Sequence, residues 1–245
     1  MTLTASAIDA SASCCVILAS TSPRRREIMT LLGIPFMAVS SGDAGQEVDE
    51  TPFPNEPPAI LVQRLSRAKA AAVVHHLPVY LSNLENDKTC VVIGADTIVV
   101  ANNKILGKPD TPAEASQMLK LLRQQPHLVY SGLTVAAWSY PDGQPNFMTR
   151  LHQSKVWMRP YTDAEIAAYV AGGSPLDKAG AYGIQDQPFA PVERLEGCFT
   201  SVMGLPLGEL ADMLRQAQLP MPEIGPLCSR YTGTVCCQNL SGVST

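Results

Sequence analysis

Ser20-Thr21-Ser22-Pro23-Arg24-Arg25-Arg26 places hydroxyls and free backbone N–H groups at a helix start, immediately before three guanidinium groups. A helix N-terminus is a ready anion site, and Arg forks add bidentate phosphate recognition. Cations in a first helical turn oppose the macrodipole, so they are unfavourable unless an anion offsets them. The plainer alternative is a capped helix with a solvated basic turn. Asp96 lies in Gly94-Ala95-Asp96-Thr97, inside the apolar run Val91–Val100. A carboxylate there is costly unless it is paired, neutralised or metal-bound. Where a buried strand reaches a cleft, such a residue suits a metal ligand or a general base. Otherwise it marks a strand edge or bulge.

Further candidates belong with these two. Lys69 lies in a helical stretch, and Lys108 is held between Gly107 and Pro109, which suggests a fixed backbone near a ligand; the plainer alternative for either is a surface lysine. Val48-Asp49-Glu50 could offer carboxylate oxygens to Mg²⁺, or could simply be a solvated acidic loop. Pro175–Gln185 is rich in small residues that let backbone approach a ligand, and Gln185 carries both a donor and an acceptor for a base edge. Its structural alternative is a bulge with a buried, internally bonded Gln. Phosphate donors, a metal-compatible carboxylate pair and a nucleobase-reading amide together point to chemistry on a nucleotide's phosphates.

Positioning these residues takes a strand over Cys14–Ala19, followed by a helix capped by Ser22 with Pro23 in its first turn and Gly33 at its end. A Pro/Gly/acid-rich loop covers Ser40–Pro58, and Ala59–His75 has the apolar spacing of a helix. Leu77–Thr89 reads as an irregular insertion. The near-continuous apolar strand Cys90–Ala101 turns back at Asn102-Asn103 through Ile105-Leu106, and a helix spans Thr111–Arg123. Leu128–Trp138 and Leu151–Met158 alternate like antiparallel strands. Thr162–Val170 is a helix with a Thr162/Glu165 capping box. A strand is expected near Phe199–Met203 and a last helix over Leu207–Gln216. These elements predict an α/β fold of two lobes around a cleft, over residues 14–219. Met1–Ser13 reads as a disordered tail and Pro220–Thr245 as a loose one.

The chain has 245 residues, 46% hydrophobic and only 16% charged, against a usual ~25%, which excludes a disordered or solvated acidic chain. Its net charge of −4 gives no global attraction for nucleic acid or an anionic membrane, so bound phosphate needs a local basic cluster. Seven cysteines with no C-x-x-C fit neither a disulfide framework nor a zinc ribbon, and suggest reduced thiols in the cytoplasm. No Walker A loop, G-x-G-x-x-G, H-E-x-x-H or G-x-S-x-G occurs.

LASTSPRRREIMTLLGI, VDE, LVQRLSRAKA, VIGADTIVV, GKP, PLDKAGAYGIQ and VMGLPLGEL occur in this order, and the chain thereby resembles the Maf family of nucleoside triphosphate pyrophosphatases from about Val16 to Gln216. The resemblance implies a two-lobed fold with a mixed sheet and a nucleotide cleft, commonly dimeric, that hydrolyses a nucleoside triphosphate to monophosphate and pyrophosphate with Mg²⁺ or Mn²⁺. By motif, Asp96 is the proton acceptor, and Ser20, Ser22, Arg25, Glu50, Lys69 and Lys108 line the phosphate and metal site, with Glu50 and Asp96 on the metal. Arg24, Thr97 and Gln185 stand where specificity residues stand, in the combination of the dTTP/UTP branch rather than the 7-methyl-GTP branch. The chain departs from the family at both termini, at Pro78–Thr89 and at Asp186–Pro191. A nucleotide-binding regulator without turnover is the alternative from another class.

Overall fold

A computed structural model of the chain describes residues 14–80, 88–140 and 142–233. The apolar run after the N-terminal tail forms β1 (Cys14–Leu18), which leads directly into α1 (Pro23–Leu31) and the short β2 (Met37–Ala38). A long helix, α2 (Pro58–Tyr80), precedes β3 (Lys88–Ala101), which hairpins into β4 (Lys104–Leu106). Then follow α3 (Pro112–Leu122), β5 (His127–Tyr140), β6 (Asn146–Met158), α4 (Asp163–Ala171) and two 3₁₀ turns at Ser174–Asp177 and Ala179–Ala181. The described chain closes with β7 (Val192–Glu196), α5 (Phe199–Met203), α6 (Leu207–Gln216) and α7 (Ile224–Thr232). The seven strands form one mixed sheet in the order β2-β1-β3-β5-β6-β7, with β4 on β3. β1 runs parallel to β2 and β3, and the other pairings are antiparallel.

β3 reads as unbroken apolar sequence because both of its faces are covered. Val91, Ile93, Ala95 and Val99 join the main core with residues of α3, α4 and α6. Cys90 and Val92 meet Ala70, Val73 and Leu77 of α2, while Ile98 and Val100 meet Leu61, Val62 and Leu65 of the same helix. The helix can lie this close because Gly94 and Gly132 have no side chain. A Cβ on Gly94 would stand 2.9 Å from the Ala70 nitrogen and nearer still to the Ser66 carbonyl oxygen. One on Gly132 would stand 2.9 Å from the Gln63 nitrogen and nearer to Val62.

Several expectations need correction. α2 does not stop at His75 but continues to Tyr80, because Val73 and Leu77 extend its buried face. The expected insertion therefore begins inside a helix and ends inside β3, and only residues 81–87 of it lie outside the described chain. Phe199–Met203 is helix, not strand; Thr200, Ser201 and Met203 turn inward over one short helical stretch. The strand lies upstream as β7, pairing the end of β6 with half-buried Val192 and Leu195. Within the expected loose C-terminal tail, Ile224 and Cys228 fall four residues apart on one face of α7 and bury in the main core. Tyr231 adds a hydrogen bond to Glu27 of α1, 2.6 Å. Met1–Ser13 and residues 234–245 lie outside the described chain. Among the described residues no disulfide joins Cys14, Cys15, Cys90, Cys198 and Cys228, and no helix is long and apolar enough to cross a membrane.

Candidate active site

β1 accompanies β3 as far as Leu18 opposite Ile93, and the Ala19 N–H makes a last bond to the Ile93 carbonyl, 2.8 Å. Beyond that point β1 turns away into Ser20–Ser22 while β3 continues through Gly94-Ala95-Asp96-Thr97. The gap opens at the carboxyl end of a parallel strand, where α/β sheets place their ligands. It is a cleft of about 210 Å³, adjoined by one of about 360 Å³, and the two share Ser22, Arg24, Arg25, Glu50, Lys69 and Lys108. Ser20 lines the second, and Asp96, Thr97 and Gln185 the first. The structure thus brings together residues that span positions 20 to 185, whereas Arg26 and Asp49, also candidates from their motifs, are exposed and line neither cleft.

Asp96 and Thr97 are consecutive on a strand, so they point to opposite faces of the sheet. Asp96 faces α2, where Lys69 is set one residue before the close approach of Ala70 to Gly94. The Lys69 ammonium lies 2.6 Å from Asp96 Oδ1 and 2.7 Å from Glu50 Oε1. Asp96 is 6% exposed, and pairing with Lys69 is what makes an ionised carboxylate tolerable there. Glu50 comes from the loop before α2 and is largely exposed. Arg25 donates through Nε to the Gly204 carbonyl, 2.9 Å, and through Nη1 to Ser20 Oγ, 3.3 Å. Burial presses its pKa down, opposed by the charges of Asp96 and Glu50. Ser22 stands at the N-cap position of α1, yet its side chain makes no capping bond; its N–H donates instead to Ser20 Oγ, 3.2 Å. Lys108 follows β4 in a loop pinned where the Gly180 N–H meets the Gly107 carbonyl, 3.0 Å.

On the other face, Thr97 Oγ1 shares a hydrogen bond with Ser131 Oγ, 2.8 Å, and Ser131 donates to the Ser201 carbonyl, 2.8 Å. Gln185 approaches the same cleft with its amide oxygen buried and unpartnered. Tyr182 also lines it, its hydroxyl 2.8 Å from Nε2 of the buried His127. Burial lowers the His127 pKa to about 4 and raises that of Tyr182. Arg24 reaches across the opening to Asp177, Nη1 to Oδ2 3.1 Å. Lys178 is buried against Asp177 Oδ1, 2.9 Å, and the Ser174 carbonyl, 2.6 Å. Asp177, Lys178, Tyr182 and the Val202–Gly204 wall were not singled out as site residues. Their signals were the strings PLDKAGAYGIQ and VMGLPLGEL, and the charge at Asp177 gains its place in the site from Arg24 opposite it.

Five basic and three acidic side chains line this cleft in a chain of net charge −4. The arrangement is that of an α/β protein with a polyanion site beside a lysine-bridged carboxylate pair. The sequence profile of the Maf-like protein family matches residues 15–217, and the chain belongs to that family. It is 41% identical over 202 residues to a dTTP/UTP pyrophosphatase of Pelotomaculum thermopropionicum, covering 82% of this chain and 95% of that protein. A dTTP/UTP pyrophosphatase of Moorella thermoacetica is 42% identical over 200 residues, 81% and 93% of the two chains. One of Bacillus thuringiensis subsp. konkukian is 40% identical over 201 residues, 82% and 94%.

Proposed function

We infer that this chain is a hydrolase that cleaves nucleoside triphosphates, dTTP and UTP foremost, to the monophosphate and pyrophosphate. The observation that carries the reading is the buried Asp96 held with Glu50 on the Lys69 ammonium, beside Arg25 and Lys108 in a cleft. Relatives named dTTP/UTP pyrophosphatase, matched over more than nine-tenths of their length, support the substrate. The phosphates lie on the Asp96 face of β3, where Arg25, Lys69 and Lys108 neutralise charge that develops on the leaving pyrophosphate. Asp96 accepts the proton of the water that attacks the α-phosphorus. The base lies on the Thr97 face, where Gln185 can donate to a pyrimidine carbonyl and accept from N3–H. A buried amide oxygen without a partner favours a ligand that supplies one.

Glu50 and Asp96 are brought together by the Lys69 ammonium, and beside it their carboxylates would suit a divalent metal completed by phosphate oxygens and water. Among the described residues no group of three or more His, Cys, Asp or Glu could hold a metal by itself. Mg²⁺ or Mn²⁺ bound there would polarise the phosphate oxygens. The enzyme acts in the cytoplasm, and a homodimer is the assembly the family resemblance suggests.

The test is kcat/KM for dTTP, UTP, dUTP, ATP, GTP and 7-methyl-GTP with Mg²⁺ or Mn²⁺, on the wild type and Asp96→Asn. Pyrimidine triphosphates should lead. Asp96→Asn leaves Lys69 its Glu50 partner, so the fold should survive while kcat falls by about 10² or more. Tight binding without pyrophosphate release would make the chain a regulator instead, and a purine triphosphate leading would overturn the substrate assignment alone.

A further inference from the structure

We propose that Asp186 is a positioning residue that fixes where Gln185 reads the base, and so sets the preference for a pyrimidine over guanine. The proposal rests on the reading of Gln185 as a base-recognising residue. Asp186 Oδ2 accepts from the Tyr169 hydroxyl, 2.5 Å, and from Ser174 Oγ, 2.8 Å, with the Lys178 ammonium at 3.5 Å. Three separate segments are thereby tied to the residue that follows Gln185. Tyr169 is itself immobilised, its ring stacked on Phe189 with centroids 4.1 Å apart and planes 14° from parallel. Its hydroxyl accepts the Gly183 N–H, 3.2 Å. Burial and the Asp186 carboxylate both push the Tyr169 pKa up, so the phenol remains a donor.

The same carboxylate fills the space beside Gly183, where a Cβ would stand 2.7 Å from Asp186 Cγ. The Asp186 N–H closes the turn onto the Gly183 carbonyl, 3.1 Å, and the Asp186 carbonyl accepts from the Ala190 N–H, 2.8 Å. Gln185 sits inside this clamp and borders two spaces: the nucleotide cleft and a second cavity of about 660 Å³ behind it, walled by Tyr169, Asp186 and Phe189. A side chain between two cavities can turn to either. The anchoring of its backbone fixes the point from which its amide reaches the cleft.

Guanine presents an N–H beside a carbonyl, as uracil does, but farther from the sugar. Amide chemistry alone does not separate them, since both satisfy one donor and one acceptor. Beyond the larger ring of guanine, it is the position at which the amide is held that separates them, and a site must be fixed to within about 0.5 Å to exploit it. Selectivity for UTP over GTP therefore depends on the clamp more than the rate of phosphate cleavage does.

The experiment compares wild type, Asp186→Ala, Asp186→Asn and Tyr169→Phe. Steady-state kinetics are measured with UTP and GTP, and calorimetry with the non-hydrolysable β,γ-imido analogues of both, with melting temperatures alongside. In Asp186→Ala the KM for UTP should rise about tenfold and the UTP-over-GTP ratio of kcat/KM should fall by a similar factor, as for loss of charged hydrogen bonds. Its kcat for UTP should stay within about threefold. Asp186→Asn, which can still accept from Tyr169 and Ser174, should recover most of the preference, and Tyr169→Phe should lose part of it. A uniform drop in kcat with the ratio intact, or an unchanged ratio of the two dissociation constants, overturns the proposal. Wild-type protein that releases no pyrophosphate overturns the hydrolase reading instead, and the calorimetric ratio then still decides this one.

Discussion

Gly94→Ala isolates the close approach of α2 to the sheet, because Gly94 has a backbone conformation open to any residue and only space is lacking. The added methyl would lie 2.9 Å from the Ala70 nitrogen and 3.0 Å from its Cβ, with the Ser66 carbonyl oxygen closer still. Two of these three atoms are backbone, so no side chain can swing aside. Restoring ordinary contact distances requires α2 to retreat by about 1 Å. Overpacking of this kind costs about 1–3 kcal/mol. For a chain of this size each kcal/mol lowers the melting temperature by about 2–4 °C, so a fall of roughly 6–12 °C is expected at the upper end. The same retreat carries Lys69 away from Asp96, now 2.6 Å apart, and out of hydrogen-bonding reach. Turnover should therefore fall about tenfold or more even in the fraction that remains folded. Calorimetric melting and pyrophosphate release at 25 °C are the assays. Gly107→Ala, with nothing within 4 Å of its added methyl, is the stability control. A Gly94→Ala protein melting within about 2 °C of wild type and turning over normally would refute the argument.

Two further outcomes follow from buried groups. His127 has its pKa lowered from 6.5 to about 4 by burial, so the folded state resists a proton that the unfolded chain accepts. Stability is whole above pH 6.5 and declines as the pH falls toward 4, by on the order of 3 kcal/mol in all. Urea titrations between pH 6.5 and 4.5, above the range where Glu56 titrates, should show that slope, and His127→Gln should flatten it; equal slopes would contradict the assignment. Truncation after Leu219 removes Ile224 and Cys228 from the core and the Tyr231–Glu27 bond. Burial of two such side chains contributes about 3–5 kcal/mol, so the melting temperature should fall by roughly 10 °C, and an unchanged value would show that α7 adds nothing.

Where a pattern was local, it was legible in the sequence. The apolar run of β3 declared a strand covered on both faces, and Thr162 with Glu165 declared the start of α4 through a capping box that the structure contains. The bounds of α6 follow directly from its apolar spacing. Phe199–Met203 failed because five residues are too few to separate a helical period from a strand's. α7 failed because only two apolar residues carry its buried face, between prolines and cysteines that read as loop. The charges at Asp177 and Lys178 were opaque for a different reason. Asp177 acquires its meaning from Arg24, 153 positions away, and no spacing rule reaches that far. The cleft's main members were legible because their residue types were locally improper: a carboxylate in an apolar strand and cations in a first helical turn.

The chemistry itself is read most directly by where water's oxygen goes. With dTTP and Mg²⁺ in heavy-oxygen water, attack at the α-phosphorus should place one labelled oxygen in dTMP and none in the pyrophosphate released. Label in pyrophosphate, release of orthophosphate with dTDP, or recovery of unreacted dTTP would contradict the assignment of this cleft to α–β cleavage.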